Sequence, residues 1–169
     1  MYQKSIDLLK TAVTNELSAV HQYMYFHFHC DNLGLDLLSN LFRRTAIEEM
    51  MHIELLAERI LFLGGDVDIV ASVPVTRIQD VRQMLATARQ LEESSIQEYN
   101  DAAVACGSDS NSRKLFESLV NDEERHYRQY DDENSNIEKY GDSYLAQQSM
   151  ERSRNVATAI AMVTPKAAP

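Results

Sequence analysis

The sequence predicts an all-α chain: a four-helix bundle with a long connection between its second and third helices and a short fifth helix near the C-terminal end. Three observations carry this prediction. Trp is absent and only five Gly and three Pro interrupt 169 residues, leaving long segments rich in Leu, Ala, Glu, Gln and Arg, which favour helix. Apolar residues recur at spacings of three and four along four separate stretches, the period of a helix with one buried face. The turn residues cluster between those stretches and seldom inside them.

The first helix is expected from about Gln3 to Asp31, closed by Asp31-Asn32-Leu33-Gly34, where Gly34 supplies a positive φ. The second follows at once, from about Leu35 to Leu63, and so short a link makes the two antiparallel. Gly64-Gly65 stops it, and Asp66 to Thr76 carries Pro74 and several β-branched residues but no helical stripe. About thirteen extended residues reach roughly 43 Å, and a helix of about 28 residues is roughly 42 Å long. The connection can therefore run the whole length of the bundle, making the second and third helices parallel. The third helix is expected from about Arg77 to Cys106-Gly107, and the fourth from the capping cluster Ser108-Asp109-Ser110-Asn111-Ser112 to about Tyr140. Residues 1–142 thus form the bundle, 143–154 a short fifth helix after Gly141-Asp142, and 155–169 a tail of weak order.

Each stripe holds a polar residue where an apolar one belongs. Glu16 sits in Ile6, Leu9, Val13, Glu16, Val20, Tyr23, and Glu49 in Phe42, Ala46, Glu49, Ile53, Leu56, Ile60, Leu63. Glu92 sits in Ile78, Val81, Leu85, Ala88, Glu92, Ser95, Tyr99. Phe116, Leu119, Glu123, His126, Tyr130 carries two misplaced residues. His52 follows Glu49 by three, on the same helix face. One Glu-x-x-His has little specificity, because such pairs arise by chance on helix surfaces. Two of them, with a buried carboxylate on each remaining helix, bring four glutamates and two histidines into one core. The two halves also read as a diverged repeat, Glu16 and Glu49 matching Glu92 and Glu123.

That donor set is the one used by di-metal carboxylate bundles of the ferritin-like class. Four carboxylates balance two divalent cations, and two neutral imidazoles complete the shells. Without cations the same cluster is a liability, since an unpaired buried charge costs several kcal/mol and crowded carboxylates must take up protons to coexist. Fe, Mn and Zn all accept these donors.

The formal net charge of −10 argues against nucleic acid as a partner and for attraction of cations. No secretory signal and no apolar run of membrane-spanning length is apparent, so the expected location is the cytoplasm, without a membrane partner. Cys30 and Cys106 have no metal-type spacing and fall near opposite ends of the bundle, about 40 Å apart, too far for a disulfide within one chain.

Over residues 1 to 152 the chain resembles the bacterioferritins. The resemblance rests on Asn15-Glu16-Leu17-Ser18-Ala19-Val20-His21-Gln22-Tyr23, Glu49-Met50-Met51-His52, Ala57-Glu58-Arg59-Ile60-Leu61-Phe62-Leu63, Asp122-Glu123-Glu124-Arg125-His126 and Gly141-Asp142-Ser143-Tyr144-Leu145-Ala146. It implies a hollow homo-oligomeric cage of twenty-four subunits that oxidises Fe(II) with O2 or H2O2 and stores ferric mineral, with two Fe per subunit. Glu16 and Glu92 would be terminal ligands, Glu49 and Glu123 bridges, and His52 and His126 one ligand to each iron. Tyr23 matches a tyrosine beside the centre. Met50 matches the ligand of a haem shared between two subunits, Met51 is expected to pack, and a ferredoxin is the implied electron donor for iron release.

Two departures stand out. The turn from Cys106 to Ser112 is about two residues shorter than in the family, and an inner-wall iron site built from His and Asp elsewhere reads Arg44 and Glu48 here, which argues against that site. His21, His27 and His29 are expected to be solvated or core histidines. Competing readings are a twelve-subunit small-cage relative that lacks the fifth helix, and a di-iron or di-manganese peroxidase of the rubrerythrin type, which would usually add a Cys-x-x-Cys iron domain that this chain lacks.

Overall fold

The computed structural model describes the backbone of residues 2–163 and the side chains of residues 2–154. Five helices follow one another: α1 (Gln3–Asn32), α2 (Asp36–Phe62), α3 (Val81–Ala105), α4 (Ser110–Tyr140) and α5 (Asp142–Val163). The all-α four-helix bundle with its long second connection is as expected.

The ends of the helices follow from local chemistry. Gly34, at φ +74°, lets Leu35 N donate back to Cys30 O at 2.9 Å, so α1 closes and α2 reverses within three residues. Gly65 fits where a Cβ would meet the methyl groups of Ile6 and Ile60 at 2.9 Å, which brings the end of α2 close to the start of α1. The third helix starts at Val81, four residues later than expected, because Asp80 is extended and its carboxylate accepts from Gln83 N at 2.9 Å. Asp109 caps α4 in the same way and is itself clamped by Arg59 at 2.6 Å.

The crossover climbs alongside α1. Lys10 pairs with Asp68 at 3.1 Å, Ser72 N donates to Thr14 O at 3.0 Å, and Val73 N donates to Ser18 Oγ at 3.1 Å. Higher up, the buried Gln22 amide both accepts from Thr76 N at 2.8 Å and donates to Thr76 O at 3.0 Å. From Lys10 to Gln22 the chain rises about 18 Å along α1. The crossover therefore delivers α3 to the end of the bundle where α1 finishes, parallel to α2.

The fifth helix is longer than the expected 143–154, running to Val163, because no Gly or Pro stands between Gly141 and Pro165. The backbone of residues 155–163 is thus helical where a weakly ordered tail was expected; residues 164–169 lie outside the described residues. Helix α5 folds back over the α1–α2 link, with Tyr144 Oη donating to Glu133 at 2.7 Å and Arg152 donating to Asp31 O at 2.6 Å.

The core comprises two apolar clusters. One holds Phe26, Leu38, Phe42, Met84, Leu85 and Ile137, with Tyr23 and Tyr130 at its edge. The other holds Leu9, Val13, Leu56, Ile60, Phe116 and Leu119. Cys30 belongs to the first and Cys106 to the second, and both are free thiols. Between the clusters lies a belt of buried polar side chains. At about 1.5–3 kcal/mol for each large apolar side chain buried, the two clusters hold the helices at both ends and define the belt.

Candidate metal centre

Every one of the six expected polar residues lies in that belt. Glu16, Glu49, His52, Glu92, Glu123 and His126 are all buried, none more than 4% exposed. Their donor atoms form two groups, Glu16-Glu49-His52-Glu123 and Glu49-Glu92-Glu123-His126, and within each group the atoms lie within 4.8 Å of one another. Glu49 and Glu123 belong to both. Regular helices produce this result: Glu49 and His52, like Glu123 and His126, are one turn apart on α2 and α4, while α1 and α3 each turn one carboxylate inward.

His52 Nδ1 approaches Glu49 at 2.7 Å and both Glu16 and Glu123 at 3.2 Å. His126 Nδ1 approaches Glu49 at 3.1 Å and Glu92 and Glu123 at 3.7 Å. The two rings lie 6.0 Å apart, 28° from parallel. Despite this crowding, both oxygens of Glu49, Glu123 Oε1 and His126 Nδ1 have no partner at hydrogen-bonding geometry. Buried polar atoms left unpaired are costly. Lone pairs converging on two points, with hard and borderline donors only, fit a pair of divalent cations.

Proton affinities confirm the strain in charge. Burial first, then the charge on Glu49, raises Glu16 well above the usual carboxylate range despite its bond to His52. Burial likewise raises Glu92, against the pull of His126. Burial works against ionised Glu123, yet hydrogen bonds from His126 and His52 hold it below the usual range. The imidazoles lose solvation too, but Glu123, Glu16 and Glu49 outweigh that and push His52 up to about 12. His126 is raised in the same way by Glu123, Glu49 and Glu92.

Of four residues that contact the six from outside, the sequence pointed to Tyr23 but not to Tyr99, Glu48 or Asp122. Tyr23 Oη donates to Glu92, and Tyr99 Oη donates to Glu16, so each tyrosine on one helix holds the carboxylate on the other. The signal was present: Tyr23 stands seven residues after Glu16, and Tyr99 seven after Glu92. On the opposite face, Glu48 Oε2 lies 2.5 Å from His126 Nε2 and Asp122 Oδ2 lies 3.5 Å from His52 Nε2. These two carboxylates immediately precede Glu49 and Glu123. Glu48 is also bonded to Arg125, while Arg44 lines a separate surface depression with Arg43 and Ile47.

Met50 lies outside the centre, 51% exposed on the outer face of α2 near Ile47. Met51, expected to pack, is 58% exposed in the single subunit. His27 bonds to the backbone oxygen and hydroxyl of Ser39, tying α1 to α2. The His29 ring lies 4.4 Å from that of Tyr25, tilted by 51°, and His21 is exposed.

Residues 6–140 match the Ferritin family, a ferritin-like domain. Over 145 residues the chain is 32% identical to the bacterioferritin of Desulfovibrio desulfuricans, covering 85% of this chain and 81% of that one. The chain belongs to the bacterioferritins. The bacterioferritin of Rhodobacter capsulatus is 33% identical over 126 residues, which span 73% of this chain and 78% of its own. Among solved structures, the D. desulfuricans bacterioferritin, whose diiron site is described in different catalytic states, matches with a TM-score of 0.85 at 32% identity, covering 86% of each chain. The R. capsulatus bacterioferritin, described with a metal-free dinuclear site and haem iron, matches with a TM-score of 0.82 at 29% identity, over 86% of this chain and 92% of that one. Membership places this bacterioferritin among the iron-storage ferroxidases.

Proposed function

We propose that this bacterioferritin binds two Fe(II) per subunit, with Glu16 and Glu92 as terminal ligands, Glu49 and Glu123 as bridges, and His52 and His126 each on one metal. The observation that carries the assignment is the pair of four-donor groups sharing Glu49 and Glu123, with orphaned donor atoms aimed into them. Two bound Fe(II) supply two electrons to one molecule of O2 or H2O2, so that no one-electron oxygen radical is released. The chain's own part is to exclude water by burial, to orient Glu16 and Glu92 through Tyr99 and Tyr23, and to hold the Nδ1 atoms inward. Arriving metals compete with protons at His52, His126, Glu16 and Glu92, whose proton affinities are all raised.

The particle we propose is a homo-oligomeric cage of twenty-four subunits in the cytoplasm, holding ferric mineral and releasing it by reduction through a ferredoxin. The presence of α5 supports the large cage over a small-cage relative lacking that helix. Among the described residues no helix is long and apolar enough to cross a membrane. Met50, exposed beside Ile47 and Met51, is the residue that would grip a haem shared with a second subunit, and a haem there would supply one-electron redox capacity.

Two measurements test this. Tightly bound metal is expected at two per chain, and Glu49→Ala should lower oxygen-dependent Fe(II) oxidation by at least about a hundredfold, since it removes a ligand common to both groups. Full oxidation by the variant would dismiss the centre. Particle mass with an absorption spectrum of wild type and Met50→Leu tests cage and haem; bis-methionine bands that survive the substitution would exclude Met50.

A further inference from the structure

We propose that Arg125 is a positioning residue for both halves of the centre at once: its guanidinium ties Glu48 to Asp122, and those two carboxylates set the rotation of the two imidazoles. The inference rests on the metal-centre reading above.

The contacts form a closed chain across the α2/α4 seam. Arg125 Nη1 donates to Glu48 Oε2 and Nη2 donates to Asp122 Oδ1, each at 2.8 Å. The same Glu48 oxygen faces His126 Nε2 at 2.5 Å, and the other Asp122 oxygen faces His52 Nε2 at 3.5 Å. An imidazole that binds metal through Nδ1 carries its proton on Nε2, and an acceptor there fixes both the tautomer and the ring plane. Both rings are buried, yet both outer acceptors are partly open to water, with side-chain exposures of 35% for Glu48 and 44% for Asp122. Left alone, two such carboxylates in one seam repel each other and sample other rotamers. A planar guanidinium with a rigid fork bonds both at once, which a lysine ammonium cannot reproduce in the same geometry.

The arrangement predicts a signature that simple stabilisation would not give. Half-exposed ion pairs contribute little to folding, so loss of Arg125 should change melting only slightly, while metal geometry at both positions should suffer. The probe is Co(II), titrated into the metal-free protein and read by d–d absorption and by the two-step isotherm. Wild type is expected to bind two Co(II). Arg125→Ala should weaken both steps by about tenfold to a hundredfold and alter the band shape. Arg125→Lys should recover part of the loss. Glu48→Gln should chiefly affect the His126 position, and Asp122→Asn the His52 position. Arg89→Ala, which removes a comparably exposed pair with Asp131, is the control and should leave the titration unchanged. If wild type binds no Co(II), the centre itself is misread. If wild type binds two and Arg125→Ala matches it within twofold at both steps with the same bands, or loses only one step, Arg125 does not position the pair. If Arg125→Ala does not fold, Arg125→Lys decides: wild-type affinity and bands would overturn the proposal.

Discussion

The two seams of the bundle solve opposite problems with opposite chemistry. Along α1/α3 the inward groups are the carboxylates of Glu16 and Glu92, which need donors, and the donors are the neutral hydroxyls of Tyr99 and Tyr23. Along α2/α4 the imidazoles of His52 and His126 join Glu49 and Glu123, and their outer Nε2 atoms need acceptors, which are the anions Glu48 and Asp122 under Arg125. Burial explains the choice. Tyr23 and Tyr99 are at most 4% exposed, where an added charge would cost several kcal/mol, whereas the anionic side reaches water. One seam supports its ligands with neutral hydrogen bonds, the other with charge.

The comparison can be sharpened from the strongest effect down. Acid should act most. His52, His126, Glu16 and Glu92 all have raised proton affinities in the metal-free centre, so divalent cations must compete with protons there. Affinity should then weaken toward acid, by about tenfold per pH unit for each proton displaced; competition titrations at several pH values would measure it, and a flat profile would mean that the donors were never protonated. Metal-free stability should run the other way. Groups whose native proton affinity is raised keep the native state more protonated than the unfolded chain, so stability is full below the unfolded values and is lost as pH rises through the native ones. Melting of chelated protein should fall from about pH 5 to pH 8, and rise over the same range with metal present.

Next come the hydroxyls. Tyr99→Phe should leave Glu16 without its donor, and Tyr23→Phe Glu92. Each should destabilise the protein by about 1–3 kcal/mol and weaken one metal step about tenfold; equal loss at both steps would break the proposed cross-pairing. Salt should have the smallest effect. Raising ionic strength from about 0.1 M to 1 M shortens the screening length from about 10 Å to about 3 Å. Co(II) binding should lose a few-fold through the Arg125 network, and the same salt should leave the Tyr→Phe effects unchanged.

What could be read from sequence divides along the same line. The six candidate ligands were legible because each interrupts an apolar stripe, and a helix converts that interruption into an inward-facing side chain. Tyr99 lay in a stripe as well, but its role needed the Glu-to-Tyr spacing of seven to be noticed twice. Glu48 and Asp122 were illegible: as neighbours of Glu49 and Glu123 they point roughly 100° away around the helix, and only the approach of α2 to α4 brings them to the histidines. The start of α3 was misplaced because Ile78 continues the stripe into an extended segment that Asp80 ends. Helix α5 runs past the span the sequence suggests because the small, mildly apolar residues after Arg154 carry no helical stripe to announce a helix, yet no Gly or Pro breaks one before Pro165.

The polar belt also divides the molecule mechanically. Phe42 and Phe116 belong to separate apolar clusters on either side of it, so a defect carved into one has few neighbours through which to reach the other. Truncations at those two positions should add independently, as if the subunit were a pair of small domains riveted at the waist by the ions it processes.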